Sequence, residues 1–237
     1  MSKSKLKVCI IVPAYNEAQV ICSVVKKMAA VMDTSKHYTY EIVIINDGSR
    51  DATAQEASKT SATVINHILN SGAGGATLTG LSYARQNNFD IAITMDADGQ
   101  HAPEDVLEGI KQLSKLNADL LIGSRLINNK GMSKTKVIGN TGLSVVTKLL
   151  FGVYVTDSQS GLRAYSRRAI DELDWKSTGY EFCSEMIWRA EQSDLSIAEY
   201  PIQAIYTDYS RSKGQNNWNG INIVKRLLKQ RLVELFE

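Results

Sequence analysis

Short apolar runs alternate with helical spacing through the first half of the chain. Residues 8–12 read as a strand, residues 18–32 as a helix with Val20, Ile21, Val24, Val25 and Met28 at core spacing, and residues 41–45 as a second strand. A short helix carrying Ala52, Ala54 and Ala57 leads to a third strand over residues 62–65. The stretch GAGGATLTGLSYARQNN opens on glycines, turns helical and runs into the strand FDIAITM. PEDVLEGIKQLSKL is the next helix, with Pro103 near its first turn and acids early, where the helix dipole favours them. ADLLIGSR is a strand that ends on Arg125. This alternation predicts an α/β fold: a Rossmann-like, mostly parallel central sheet flanked by helices.

The pattern changes from residue 126. A loop containing glycine and lysine precedes an amphipathic helix, VTDSQSGLRAYSRRAI reads as a turn and a strand, and YEFCSEMIWRAEQ as a helix. SIAEYPIQAIYTDY is a strand pair or a bent strand, because Pro201 cannot donate from a central position. The terminal run predicts a helix over residues 219–236, with Ile221, Val224, Leu228, Leu232 and Leu235 in one stripe and Lys225, Arg226, Lys229 and Arg231 largely elsewhere. Such a helix can lie on an anionic membrane surface or pack on the domain or another subunit. With no repeat or linker, residues 1–237 read as one domain, in which residues 1–125 and 126–237 form two functional halves.

Composition narrows the setting. The 27 Lys and Arg against 25 Asp and Glu leave a net charge of +2, which argues against nucleic acid as a partner. Cys9, Cys22 and Cys183 lack CxxC spacing and suit apolar filling in a reducing compartment. The N-terminal apolar run is short and soon meets Pro13, so it predicts a strand and no signal peptide. No apolar stretch is long enough to span a bilayer.

Candidate chemistry gathers at the carboxyl ends of the predicted strands, where open parallel sheets bind ligands. These ends carry Pro13 to Glu17, Asn46 to Ser49, Asp96 to Gln100 and Gly123 to Arg125. Asp96 and Asp98 share a face if the strand continues. With Gln100 they offer oxygen ligands to Mg2+ or Mn2+, and a turn capped by its own acids is the alternative. A metal there would stabilise the charge on a departing nucleoside diphosphate. Glu17 and Asp47 are then candidates for the nucleoside. A dinucleotide site fails because VPAYNEAQV has no glycine after the first strand, while Gly72, Gly74 and Gly75 come much later and Thr77 stands where a third glycine should. Of the three histidines only His101 is well placed. Zinc-hydrolase and serine-nucleophile spacings are absent.

The segments VPAYNE (12–17), INDGSRDAT (45–53), DADGQH (96–101), GSR (123–125), TDSQSGLRAY (156–165) and GYEFCSEM (179–186) carry a resemblance. In order and spacing they resemble the inverting family 2 glycosyltransferases of GT-A fold, and among them the polyprenyl-phosphate sugar transferases of the dolichyl-phosphate mannose synthase and undecaprenyl-phosphate groups. The resemblance implies hexose transfer from a UDP- or GDP-linked nucleotide sugar to a polyprenyl phosphate lipid, with inversion, by an enzyme peripheral to the cytoplasmic face of a membrane.

It also implies roles for residues. Asp96, Asp98 and Gln100 would hold the metal and donor diphosphate, and Pro13, Ala14, Tyr15, Glu17 and Asp47 would line the nucleoside pocket. Arg211 and Lys213, near Tyr209, would touch the donor phosphates. Arg125 would face the acceptor phosphate with help from Lys136 and Asn140, where the family often has arginine. Ala73 likewise stands where relatives often carry a basic residue. Subunit number stays open, a homo-oligomer included. Two other readings remain: a family 2 transferase acting on a sugar hydroxyl, with Asp157 or Glu181 as base, and a nucleotide-sugar-binding scaffold without turnover.

Overall fold

The computed structural model describes residues 5–206, Tyr209 and residues 218–234. In chain order the elements are β1 (Leu6–Ala14), α1 (Ile21–Met32), β2 (Tyr38–Asn46), α2 (Thr53–Ser58), β3 (Thr63–Asn66), α3 (Gly72–Gln86), β4 (Ile91–Thr94) and α4 (Pro103–Leu116). They continue with β5 (Leu120–Ser124), α5 (Lys134–Phe151), β6 (Arg163–Ser166), α6 (Arg167–Glu172), α7 (Phe182–Gln192), β7 (Ile197–Pro201) and α8 (Trp218–Glu234).

The strands form one sheet in the order β3-β2-β1-β4-β6-β5-β7. All neighbours are parallel except β6, which runs against both β4 and β5. The expected mostly parallel sheet is therefore mixed at one position. Thr94 and Ile122 both pair with Arg163, so the ends of β4 and β5 meet the start of β6 at the same rim. β7 closes one edge, and there the missing N–H of Pro201 breaks no central ladder. The strand predicted beyond it is absent among the described residues.

Alternation along β1 divides the core. Val8, Ile10 and Val12 pack with α1 and α4 through Ile21, Met28, Val106 and Ile110. Cys9 and Ile11 face the other side, against Leu81 and Ala84 of α3 and Ile187 of α7. This is the period of two expected of a strand covered on both faces. Gly80 lets α3 approach closely, since a Cβ there would lie 2.2 Å from Cγ2 of Ile11.

A smaller apolar cluster joins α5, α7 and α8 through Phe151, Trp188 and Leu227, with the first two rings 5.3 Å apart. The outward sides of α5 and α8 remain apolar: Ile138, Val145 and Leu149 on one, Ile221, Leu228 and Leu232 on the other, are exposed. Among the described residues, no helix is long and apolar enough to cross a membrane.

Candidate active site

β4 delivers the apolar Ile91 and Ile93 to the core and then releases Asp96 and Asp98 at its carboxyl end. Asp96 lies on the floor of a cleft, with 53% of its side chain open. His101, itself buried, lies 2.9 Å from Asp96 Oδ2 through Nε2. A Cβ on Gly161 would stand 2.3 Å from Asp96 Oδ1, so any side chain there would displace the carboxylate from its present position. The surrounding protein works against the charge of Asp96. His101, Arg125 and Arg163 outweigh it and hold the carboxyl below its ordinary value.

Asp98 accepts from the backbone N–H of Gln100 at 3.0 Å, and the Gln100 side-chain amide also donates to it. The capped turn is thus formed. Burial and then the charge of Asp96 nevertheless push the Asp98 carboxyl above its ordinary value.

This donor set fits a hard divalent ion. Two adjacent carboxylates repel each other, and a cation between them relieves that repulsion. Among the described residues, no group of three or more His, Cys, Asp or Glu side chains forms a metal site. Ligands beyond the two acids would come from Gln100, after its amide turns, and from donor phosphates. Nδ1 of His101 is buried without a hydrogen-bond partner, leaving the polar demand of this pocket incompletely met.

The nucleoside side differs from expectation in two places. Ala14 is the last residue of β1, 2% exposed, and its carbonyl accepts from Asp47 N–H at 2.9 Å, so neither its side chain nor that oxygen is presented to a donor. Asp47 caps the start of α3: its carboxylate accepts from Ser71 N–H and Oγ at 2.7 Å each and from Gly72 N–H at 2.9 Å. His67 Nδ1 adds a contact at 2.8 Å. These bonds satisfy N–H groups that a helix start otherwise leaves free. Asp47→Ala is expected to cost about 1–2 kcal/mol of stability through the lost cap, read as a lower thermal midpoint.

Other donor candidates stand closer to expectation. Pro13 is half-buried, Tyr15 is exposed at the rim, and Glu17 accepts from the Tyr209 hydroxyl at 2.7 Å. That bond joins Tyr209 to the loop after β1. Arg211 and Lys213 lie outside the described residues.

Among the residues expected to face an acceptor, Arg125 grips Asp157 with a two-pronged pair, Nε to Oδ2 at 2.7 Å and Nη2 to Oδ1 at 2.8 Å. Asp157 is fully buried and Arg125 is 18% exposed. Burial opposes the guanidinium charge, but the Asp157 bonds and charge, followed by Asp96, hold its pKa above the ordinary value. Arg125 therefore keeps its charge and its remaining N–H groups at the cleft edge. Lys136, on the first turn of α5, places its ammonium 4.3 Å from the centre of the Tyr206 ring. Asn140 is half-buried one turn on. Glu181 accepts from Arg226 Nη1 at 3.2 Å and from Gly179 N–H at 3.3 Å. Both acids considered as a general base are thus already engaged by arginines.

Sequence reasoning assigned no role to Gly161 or Arg163, which border Asp96 and its loop. A charged residue inside the apolar strand LRAY was the available signal.

Comparison with known proteins agrees with this architecture. The chain is 40% identical, over 96% of its length and 97% of the relative's, to the UDP-N-acetylglucosamine–dolichyl-phosphate N-acetylglucosaminyltransferase of Methanococcus voltae. It is 28% identical to the polyprenol monophosphomannose synthase of Mycolicibacterium smegmatis, covering 93% of this chain and 84% of that one. Among solved structures, glucosyl-3-phosphoglycerate synthase of Mycobacterium tuberculosis, in complex with Mn2+, UDP-glucose and phosphoglyceric acid, superposes with a TM-score of 0.68 at 18% identity. That superposition covers 94% of this chain and 79% of the other, and it shows a shared GT-A-like fold. Residues 9–174 match the family described as Glycosyl transferase family 2, and the chain belongs to that family.

Proposed function

We propose that the chain transfers a hexose from a nucleoside diphosphate sugar to a polyprenyl phosphate at a membrane surface, inverting the anomeric centre in a single displacement. One observation carries the reading: two neighbouring carboxylates, the exposed Asp96 and the half-buried Asp98, lie within electrostatic reach of the charged Arg125. This arrangement suits a substrate pair with a diphosphate on one side and a phosphate on the other. Residues 1–125 serve the donor and residues 126–237 the acceptor.

Mg2+ or Mn2+ held by Asp96 and Asp98, with Gln100, would supply Lewis-acid stabilisation of the diphosphate leaving group. The chain's own residues do the rest. His101 holds Asp96 through Oδ2, and Gly161 leaves the room that its Oδ1 occupies. Arg125 orients the acceptor phosphate through the N–H groups that Asp157 leaves over, and Lys136 adds positive charge at the start of α5. A phosphate monoester has a second pKa of about 6 and is already largely anionic at neutral pH. Its oxygen attacks without losing a proton, so no base is required. The arginine pairing of Asp157 and Glu181 favours this reading over a sugar-hydroxyl acceptor.

The exposed apolar faces of α5 and α8 would rest on the bilayer, with Lys225 and Lys229 of α8 toward anionic head groups. These faces support peripheral attachment, and the cytoplasmic side is taken from the family resemblance. The Methanococcus voltae relative makes UDP-N-acetylglucosamine the first donor to try.

The deciding experiment screens UDP- and GDP-sugars with Mn2+ and a short polyprenyl phosphate, scoring lipid-linked sugar. Product with the phosphate and none with the free polyprenol is the expected outcome. Product with sugar acceptors alone would reject it, and donor binding without any turnover would leave a scaffold.

A further inference from the structure

Arg163 sits at the start of β6, flanked on both sides by strands, with 1% of its surface exposed. Among the described residues no carboxylate hydrogen-bonds to it, although its charge acts on Asp96. A buried charge without a directly bonded counterion is costly, and an apolar side chain of similar size would fill the same space. Its acceptors belong to two separate bodies. Nη2 and Nε donate to the carbonyls of Ser158 and Ser160 at 2.7 and 2.9 Å, on the loop that follows Asp157. Nη1 donates to the Cys183 carbonyl and to Sδ of Met186, each at 3.1 Å, on α7.

The guanidinium therefore rivets the 157–161 loop to α7. That loop ends at Gly161, where a Cβ would lie 2.3 Å from Oδ1 of Asp96, so the Asp96 carboxylate occupies the space that this glycine leaves open. A second clip acts from β4: the Thr94 hydroxyl donates to the Gly161 carbonyl at 2.9 Å. Arginine suits this task because its planar fork reaches several fixed acceptors at once, which a lysine ammonium cannot do.

We infer that Arg163 is a positioning residue for the metal-holding carboxylate: by fastening the 157–161 loop to α7 it sets the wall against which Asp96 is aimed. The inference rests on the reading that Asp96 and Asp98 hold a cation together with the donor diphosphate. Arg163 touches neither substrate and works through Gly161.

The test measures Mn2+ binding by electron paramagnetic resonance in the presence of UDP, for the wild type, Arg163→Lys and Thr94→Val, alongside thermal unfolding. Arg163→Lys is expected to weaken Mn2+ binding by about 10–100-fold, the range for supports one step behind a ligand. Thr94→Val should shift it in the same direction by less. In turnover, the Mn2+ concentration for half-activation should rise by a similar factor, and saturating Mn2+ should restore most of kcat. A merely structural role would lower the unfolding midpoint and leave that concentration alone. Wild-type Mn2+ affinity in folded Arg163→Lys overturns the inference, and if that variant does not fold, wild-type affinity in Thr94→Val does so. A wild-type protein that binds no Mn2+ with UDP rejects the cation reading itself, and this inference with it.

Discussion

Asp98→Asn is expected to lower sugar transfer by about 100-fold or more, the scale on which removing one preorganised charge-stabilising group acts. The substitution keeps size and shape, and its amide oxygen can still accept from Gln100 N–H, so the turn survives. What disappears is one of two adjacent negative charges. Since burial and Asp96 already push the Asp98 carboxyl upward, removing that charge should leave the metal-free thermal midpoint equal to or above that of the wild type. Loss of turnover without loss of stability separates a ligand from a structural cap. Near-normal rates for the variant at limiting Mn2+ would remove Asp98 from the metal site.

Arg125→Ala should act on both stability and acceptor use. Its partner Asp157 is fully buried, and stripping the guanidinium leaves a carboxylate without a counterion, at a cost of about 3–5 kcal/mol. Removing both side chains together should recover much of that loss, because no unpaired charge remains. Acceptor use should not recover. The double variant is therefore the discriminating protein: restored folding with a polyprenyl-phosphate KM still strongly raised assigns Arg125 to the acceptor, whereas restored transfer reduces it to a scaffold arginine.

The strand ends were readable because each is marked locally by an apolar run followed by a polar break. Val8 to Val12 before PAYNE and Ile91 to Met95 before DADGQH both place their polar residues where the structure has the cleft. Partnerships across the fold left no such mark. Asp157 lies 32 positions from Arg125, and nothing in either segment's periodicity announces a two-pronged pair. Asp47 has a similar history. Its place after a strand suggested a nucleoside contact, and nothing local announced that it also caps the helix start at Ser71 and Gly72, 24 and 25 positions away. The reversal of β6 was hidden for a related reason, since a four-residue strand covered on both faces reads alike in either direction.

That reversed strand carries an evolutionary consequence. Because β6 begins beside the end of β5, residues 126–155 leave the sheet and return to it at one rim, so this excursion can be lengthened or shortened while residues 157–161 keep their hold on Arg125 and on the rim of β4. Descendants of such a scaffold can inherit nucleotide chemistry intact while diversifying what they glycosylate.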